Sequence, residues 1–355
     1  MPAPFTQQLL KWNKKENKRS MPWKGEKDPY KIWLSEIILQ QTRVEQGLDY
    51  YNRFIKAFPT VKKLAAAPEQ KVFKLWEGLG YYSRCKNLIA TAKIITEQYK
   101  GRFPNTYNEI LQLKGVGPYT AAAIGSFAFN LPYAVLDGNV FRVLARYFGI
   151  STPTDSTDGK KLFSCLAQEL LAKKQPADYN QALMDFGATI CKPQQPLCTI
   201  CYQKKECRAF ANNWMAQLPV KEKKVIVKKR CFYYFVFISN MGIAIKKRTA
   251  ADIWQNLYEF ALVETNEPKG PDKKNALLLA QKHFDNLSSA TVERISVPLS
   301  QKLSHQTITA YFITIRIPSS KALLTNDFEW VPAKKLTNYP FPKTITGWLA
   351  QSGLF

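Results

Sequence analysis

Four cysteines within seventeen residues constrain the fold of this 355-residue chain more than any other feature. Their spacing is Cys191-x6-Cys198-x2-Cys201-x5-Cys207. Thiolates this close in sequence can enclose one metal centre, and both a zinc ion and an iron–sulfur cluster accept such a donor set. A disulfide framework fits less well, because a cytosolic chain of this size keeps its thiols reduced. The sequence therefore predicts a loop folded around a metal.

The chain is strongly basic, with 51 Lys and Arg against 27 Asp and Glu and a net charge of +24. Its hydrophobic content of 46% excludes a disordered basic tail and is enough to fill two globular cores. The charge predicts a polyanionic partner, with nucleic acid favoured over an anionic membrane surface. No apolar run approaches the roughly 20 residues of a membrane span, and the first residues lack a secretory signal pattern. We expect a monomeric cytoplasmic protein.

The hydrophobic pattern divides the chain into two halves. Apolar residues recur at helical spacing up to about residue 210, which predicts an all-α domain over residues 1–218. A linker with six basic residues between Lys221 and Arg230 lies within residues 219–231. Residues 232–355 are predicted to form an α+β domain. Its predicted elements are strands at 231–238, 242–245, 291–297 and 308–317 and a helix at 275–284.

A glycine-containing turn connects two helical segments at Lys114-Gly115-Val116-Gly117-Pro118. Glycines permit positive φ and let backbone amides approach a phosphate at a helix N-terminus, although a plain helix connection has the same composition. About twenty residues later the chain reads Asp137-Gly-Asn139, which is also a common turn composition. Together with the cysteine spacing, this pair resembles the endonuclease III superfamily of DNA glycosylases.

The resemblance implies an all-α domain with a helix-hairpin-helix at about residues 108–128 and an iron–sulfur loop at residues 191–207. It assigns Cys191, Cys198, Cys201 and Cys207 to a [4Fe-4S] cluster. It places Asp137 beside the target sugar, where a carboxylate stabilises an oxocarbenium-like centre. Lys114, Gly115 and Gly117 are implied to bind the DNA backbone.

The position of Tyr119 separates two subclasses of this superfamily. Members that also cleave the DNA strand carry a Schiff-base lysine two residues after the second glycine of the hairpin. Here Tyr119 occupies that position and cannot form an imine, while Lys114 precedes the glycines. The resemblance therefore implies a monofunctional enzyme that uses water as its nucleophile.

One helical segment selects a branch of the superfamily. Residues 33–44 read WLSEIILQQTRV, and they closely resemble the signature of adenine DNA glycosylases of the MutY type. Glu36 lies near Trp33 and Ile37, so partial desolvation would hold its carboxyl protonated, although most glutamates lie at the surface. In this family the matching glutamate protonates N7 of adenine, which makes Glu36 the implied general acid.

Further residues match the same branch. Tyr81 resembles a tyrosine that wedges into the duplex opposite the extruded base, and Gln41 a neighbouring wedge at the orphaned partner base. Trp23 belongs to a segment that borders the adenine pocket in the family. Tyr119 matches a pocket tyrosine of some members, and Asn139 is assigned a supporting hydrogen bond.

The C-terminal half resembles the Nudix-like domain of this family, which recognises 8-oxoguanine. Ser304 and His305 align with its Phe-Ser-His loop, but Leu303 replaces the aromatic residue. The glutamate-rich Nudix box is absent from the sequence, so we expect no magnesium-dependent pyrophosphate hydrolysis.

The sequence thus predicts a bacterial, nucleoid-associated enzyme that removes adenine mispaired with 8-oxoguanine or guanine in double-stranded DNA. Two alternatives remain open. One is an endonuclease III-like glycosylase-lyase acting on oxidised pyrimidines. The other is a non-enzymatic DNA-binding protein built on the same scaffold.

Overall fold

The computed structural model describes residues 4–222, 226–265, 270–285, 287, 289–318 and 327–354. They form two compact units: residues 1–66 with 87–224, and residues 67–86 with 225–355. The first unit is helical and the second is built on a sheet, so the predicted fold class is confirmed. The predicted boundaries at 218 and 232 stay a prediction, and residues 223–225 of the predicted linker lie outside the described residues.

The N-terminal part of the chain consists of helices joined by short connections. They are α1 (Pro4–Glu16), α2 (Pro29–Leu39), α3 (Val44–Ala57), α4 (Val61–Ala65), α5 (Glu69–Trp76), α6 (Tyr82–Gln98), α7 (Tyr107–Leu111), α8 (Pro118–Phe129), α9 (Gly138–Phe148), α10 (Thr157–Leu170), α11 (Pro176–Thr189) and α12 (Arg208–Ala211). Two single 3-10 turns, Cys198–Ile200 and Lys204–Glu206, shape the loop that carries the cysteines.

Helix α2 shows how local sequence fixes an element of the first unit. Asp28 caps it by accepting a 2.9 Å hydrogen bond from the amide of Tyr30, and Pro29 supplies a preset φ at the first helical position. Nearly the whole helix is buried, with Trp33 and Leu34 fully enclosed. A helix that is apolar on most faces belongs in a domain centre, and α2 packs there against α3 and α8.

Helices α8, α9 and α11 complete the centre of the first unit. Helix α11 packs against α1, α8 and α9, and the apolar core between them includes Phe163, Tyr179 and Phe186. Residues 117–119 and 137–139 therefore stand at the N-terminal ends of two helices, α8 and α9, that are packed into this core.

The second unit takes in the segment 67–86, which the sequence did not separate from the helical domain. Glu77 accepts a 2.8 Å hydrogen bond from the amide of Phe341, and Nζ of Lys74 donates to the carbonyl oxygen of Tyr339 at 3.0 Å. These polar contacts join α5 to the C-terminal part of this unit.

The strands of the second unit are β1 (Lys228–Ser239), β2 (Gly242–Lys247), β3 (Tyr258–Glu259), β4 (Ala261–Thr265), β5 (Thr291–Ile295), β6 (Leu299–Lys302), β7 (Gln306–Arg316) and β8 (Glu329–Val331). Their sheet has the central order β3-β2-β1-β7-β5, with β4 beside β1, β6 beside β7 and β8 beside β2. The C-terminal part of this unit also contains helices α13 (Lys273–His283) and α14 (Lys343–Ser352).

Strands β1 and β7 form the long parallel pair at the centre of this sheet, from Lys228 opposite Gln306 to Ile238 opposite Arg316. Both are almost continuously apolar in their central parts and buried there, as expected of strands covered on both faces. Helix α13 packs over β5 and covers one face.

Candidate active site

A cavity of about 690 Å³ opens in the first unit. Its volume is in the range of small-molecule sites in proteins. Among the predicted site residues, it is lined by Trp23, Glu36, Gln41, Tyr119, Asp137 and Asn139. Side chains from four separate stretches of sequence are therefore brought to one place.

The carboxyl group of Glu36 is the buried acid of this cavity. Glu36 is only 8% exposed and lies in the third turn of the buried helix α2. Burial raises the pKa of Glu36 to about 7, and the nearby negative charge of Asp137 also raises it. A hydrogen bond from Tyr119 acts in the opposite direction. Near neutral pH this group can therefore both donate and accept a proton.

Tyr119 stands in the first turn of α8 and hydrogen-bonds to Glu36. Burial holds the pKa of Tyr119 well above its usual value, so the phenol keeps its proton and acts as the donor. The same hydroxyl lies 3.5 Å from the sulfur of Met184. The position that would carry a Schiff-base lysine is thus a neutral hydrogen-bond donor aimed at the buried acid.

Asp137 is the N-cap of α9, where its Oδ1 accepts a 2.7 Å hydrogen bond from the amide of Val140. Nδ2 of Asn139 donates to Oδ2 at 2.7 Å. Burial raises the pKa of Asp137, while both hydrogen bonds and the charge of Arg142 lower it. The Asp-Gly-Asn stretch thus has a local structural role, as the N-terminal cap of α9, and it also places the carboxylate of Asp137 at the cavity.

Arg142 is a structural partner of this carboxylate that the sequence did not single out. Its Nη2 donates to Oδ1 of Asn139 at 2.8 Å and to the carbonyl oxygen of Gly187 at 2.7 Å. Its Nε donates to the carbonyl oxygen of Cys191 at 2.8 Å. The signal in the sequence was an arginine among apolar residues, about one turn after the Asp-Gly-Asn stretch.

A second missed residue is Asp185 of α11, whose side chain is fully buried. Four donors surround its carboxylate at 2.9 Å each: Asn17, Arg19, Lys24 and Gln181. Three of these belong to the segment that precedes α2, which also carries Trp23 and lines the cavity. A carboxylate among apolar residues of a buried helix was the signal in the sequence.

Helices α7 (Tyr107–Leu111) and α8 (Pro118–Phe129) flank the glycine-containing turn, where the resemblance predicts the helix-hairpin-helix. Gly115 has φ of +76°, and a Cβ there would stand 2.8 Å from the side chain of Asn87. Gly117 has an ordinary φ of −97° and caps α8 with open space around its missing Cβ. The two glycines thus have different roles: Gly115 makes the turn, and Gly117 keeps the end of α8 accessible. Lys114 is exposed beside them.

The four cysteines surround one small cavity of about 30 Å³. Its wall is otherwise mostly apolar, and Nη1 of Arg146 lies 3.5 Å from Sγ of Cys191. Arg146 also donates to the carbonyl oxygens of Lys192, Pro193, Met215 and Leu218. Within the described residues, no three His, Cys, Asp or Glu side chains converge on a single metal ion. Four thiols around a shared, largely apolar cavity are a donor set that suits an iron–sulfur cluster.

Both predicted wedge residues have left-handed backbone conformations. Gln41, after α2, has φ of 56° and Tyr81, before α6, has φ of 47°. Both residues are exposed, Tyr81 to 41%. Residues other than glycine, asparagine and aspartate rarely adopt this backbone conformation. Backbone strain of this kind is concentrated at functional sites.

Ser304 and His305 lie in the second unit, as do residues 81 and 230. They form the exposed tip of the turn between β6 and β7, where the amide of Leu303 donates to the carbonyl oxygen of Gln306 at 2.7 Å. Arg230 is predicted from the sequence to belong to the basic linker, whereas in the structure it lies in β1. Helices long and apolar enough to cross a membrane do not occur in the described part of the chain.

Comparison with known proteins places this fold and cavity in a defined class. Residues 34–165 match the HhH-GPD superfamily of base excision DNA repair proteins, and residues 233–351 match the NUDIX domain. The chain is similar in structure to a thermostable thymine-DNA glycosylase, with 32% identity and a TM-score of 0.55 over 59% of this chain and 95% of that one.

Full-length relatives define the family more narrowly. An adenine DNA glycosylase of Buchnera aphidicola (subsp. Acyrthosiphon pisum, strain APS) is 36% identical over 344 residues, which are 96% of this chain and 95% of that protein. One from Mus musculus is 36% identical over 322 residues, covering 85% of this chain and 62% of the mouse protein. The chain belongs to the adenine DNA glycosylase family, and it is an enzyme of base excision repair.

Proposed function

We propose that this enzyme hydrolyses the N-glycosidic bond of adenine mispaired with 8-oxoguanine or guanine in duplex DNA. The observation that carries the proposal is the pair of unequal carboxyl groups in one cavity. Burial raises the pKa of both carboxyl groups, to about 7 for Glu36, but Asp137 also accepts two hydrogen bonds that favour its ionised form. Two carboxyls in contrasting environments take different roles in glycoside hydrolysis.

In the proposed reaction Glu36 protonates N7 of adenine, which makes the base a better leaving group. Asp137 stabilises the positive charge that develops on the sugar. Glu36, now ionised, accepts a proton from the water that attacks the sugar. Tyr119 holds Glu36 in position by its hydrogen bond, and Asn139 does the same for Asp137.

DNA binding is assigned to separate surfaces. Backbone amides at Gly115 and Gly117 and the charge of Lys114 would contact phosphates without reading sequence. Tyr81 and Gln41 would occupy the space left when adenine is flipped out, and Trp23 would border the pocket that receives it. Ser304 and His305 would contact 8-oxoguanine. This activity would place the enzyme at the bacterial nucleoid.

Cys191, Cys198, Cys201 and Cys207 would hold a [4Fe-4S] cluster. Its support is the shared cavity lined by all four thiols. When bound, the cluster would stabilise the loop of residues 191–207. The carbonyl contacts of Arg146 would fix the same loop from the side of α9.

The decisive experiment compares Glu36→Gln with the wild type in single-turnover excision from A:8-oxoguanine, A:G, A:T and thymine-glycol duplexes. We expect Glu36→Gln to slow adenine release by about 10²–10⁴-fold while duplex binding is retained. Glu45→Gln, at an exposed site on α3, is the matched control. Near-normal excision by Glu36→Gln would refute the assignment. A borohydride-trapped imine would favour the lyase, and duplex binding without any abasic product would favour the non-enzymatic alternative.

A further inference from the structure

The turn between β6 and β7 is supported by a hydrogen-bonded chain that starts at Arg230. This guanidinium is almost buried, and two carboxylates engage it in forked pairs. Nε and Nη2 donate to Glu264 at 2.6 Å each, and Nη2 and Nη1 donate to Asp252 at 2.7 and 3.0 Å. Forked pairs of this kind are strong and hold the guanidinium in a fixed plane.

One N–H of Arg230 is left over by these two pairs, since a guanidinium has five. It points to Gln306, whose Oε1 lies 3.3 Å from Nη1. Gln306 is the first residue of β7 and is only 4% exposed. Because arginine can only donate, the oxygen of this amide must face Arg230, and the orientation of the amide follows.

The amide nitrogen of Gln306 then faces the histidine. Nε2 of Gln306 lies 3.0 Å from Nε2 of His305, and Nδ1 of His305 lies 3.1 Å from Oγ of Ser304. An amide nitrogen donates, so Nε2 of a neutral His305 must accept. The ring proton is then on Nδ1, which donates to Ser304. Oγ of Ser304 is thereby used as an acceptor, and its own hydrogen is free to be donated outward.

We propose that Gln306, fixed by Arg230, is a positioning residue that holds His305 in the Nδ1–H tautomer and so presents the Ser304 hydroxyl as a donor to the C8 carbonyl of 8-oxoguanine. Guanine lacks that acceptor. The inference rests on the proposed function for its ligand. The tautomer itself follows only from contacts within the second unit.

The first test reads the tautomer directly in the full-length protein. The chain contains two histidines, so ¹⁵N-histidine labelling yields two ring signals, which His283→Gln assigns. At alkaline pH, where imidazoles are neutral, we expect His305 to be in the Nδ1–H form. Gln306→Leu removes the donor, and Gln306→Glu replaces it with an acceptor. Both should shift His305 towards the Nε2–H form, while His283 stays unchanged.

The second test measures lesion preference, as the ratio of single-turnover excision rates from A:8-oxoguanine and A:G at subsaturating enzyme. Both Gln306 variants should lower this ratio by about threefold to tenfold, the effect of one hydrogen bond, with the A:G rate preserved. Gln301→Leu in the neighbouring strand β6 is the matched control and should change neither reading.

An Nε2–H tautomer in the wild type, or an unchanged tautomer in both variants, would overturn the proposal. So would a switched tautomer with an unchanged excision ratio. If no duplex loses adenine, the proposed function has failed, and the NMR reading still decides the tautomer.

Discussion

The side-chain amide of Asn139 donates a 2.7 Å hydrogen bond to Oδ2 of Asp137, the carboxylate assigned to the sugar cation. Asn139 is in turn held by Arg142 through its amide oxygen. The amide cannot rotate without losing one of these bonds, so it always offers its donor to Asp137. This arrangement favours the ionised form of a carboxylate whose pKa is raised by burial.

Replacing Asn139 with leucine should therefore raise the pKa of Asp137 further. Because Asp137 is needed ionised, its function is lost as pH falls through its pKa. The acidic limb of the pH profile for single-turnover excision should move to higher pH, with a loss of about tenfold at its acid end. Asn52→Leu, on the exposed side of α3, should leave the profile unchanged. An unshifted acidic limb in Asn139→Leu would contradict the role of this bond.

Glu36 should make the protein less stable as pH rises. Its pKa is about 7 in the folded protein, above its ordinary value of 4.5. Between these values the folded state keeps a proton that the unfolded chain has released, so stability falls with increasing pH. Glu36→Gln should thus raise the Tm at pH 8 by roughly 6–12 °C, corresponding to about 3 kcal/mol, with a much smaller gain at pH 5. Thermal unfolding of Glu36→Gln and the Glu45→Gln control at both pH values checks this, and an equal gain at both would argue against it.

The two hairpin glycines should respond differently to alanine. Gly115→Ala meets both positive φ and the side chain of Asn87, so it should lower the free energy of unfolding by about 1–3 kcal/mol. Gly117→Ala has an ordinary φ and open space, so the Tm should be nearly unchanged. Its methyl group would still obstruct a phosphate, and affinity for duplex DNA should fall about threefold to tenfold. Fluorescence anisotropy and thermal unfolding together distinguish the two outcomes, and wild-type affinity in Gly117→Ala would remove this glycine from the DNA interface.

Gln41→Gly should separate stability from activity. Glycine relieves the left-handed backbone at φ of 56° and should stabilise the fold by about 1 kcal/mol. Excision should nevertheless slow, because the side chain that replaces the flipped base is gone. Gln41→Ala loses the same side chain without that relief, so it should be as slow as Gln41→Gly but less stable. Wild-type excision in both variants would exclude a wedge at this position.

Local patterns were sufficient to predict the helical half of the fold and much of the cavity. The cysteines lie in a short segment whose spacing indicates a metal centre, and Glu36 lies in a short segment that resembles a family signature. Asp185 and Arg142 could not be predicted in the same way, because each also has hydrogen-bond partners far away in sequence, in the segment before α2 for Asp185 and at Gly187 and Cys191 for Arg142. The basic residues at the start of β1 continue the basic linker in the sequence, so the sequence predicts that they belong to it. In the structure, however, Arg230 forms ion pairs with Asp252 and Glu264. The pair with Glu264 depends on the antiparallel association of β1 with β4, two strands that are not consecutive in the chain and that no turn between adjacent segments signals.

The buried carboxylate of Asp185 has a consequence for how a base enters the site. Three of its four hydrogen bonds tie the segment before α2 to α11. This wall of the cavity is thus preformed and does not have to close over the ligand. The entropy cost of ordering this segment arises during folding and not at each binding event. An extruded adenine would enter a cavity whose wall is already ordered. The slow conformational change on binding would therefore be the flipping of the base out of the DNA, and not a movement of the protein.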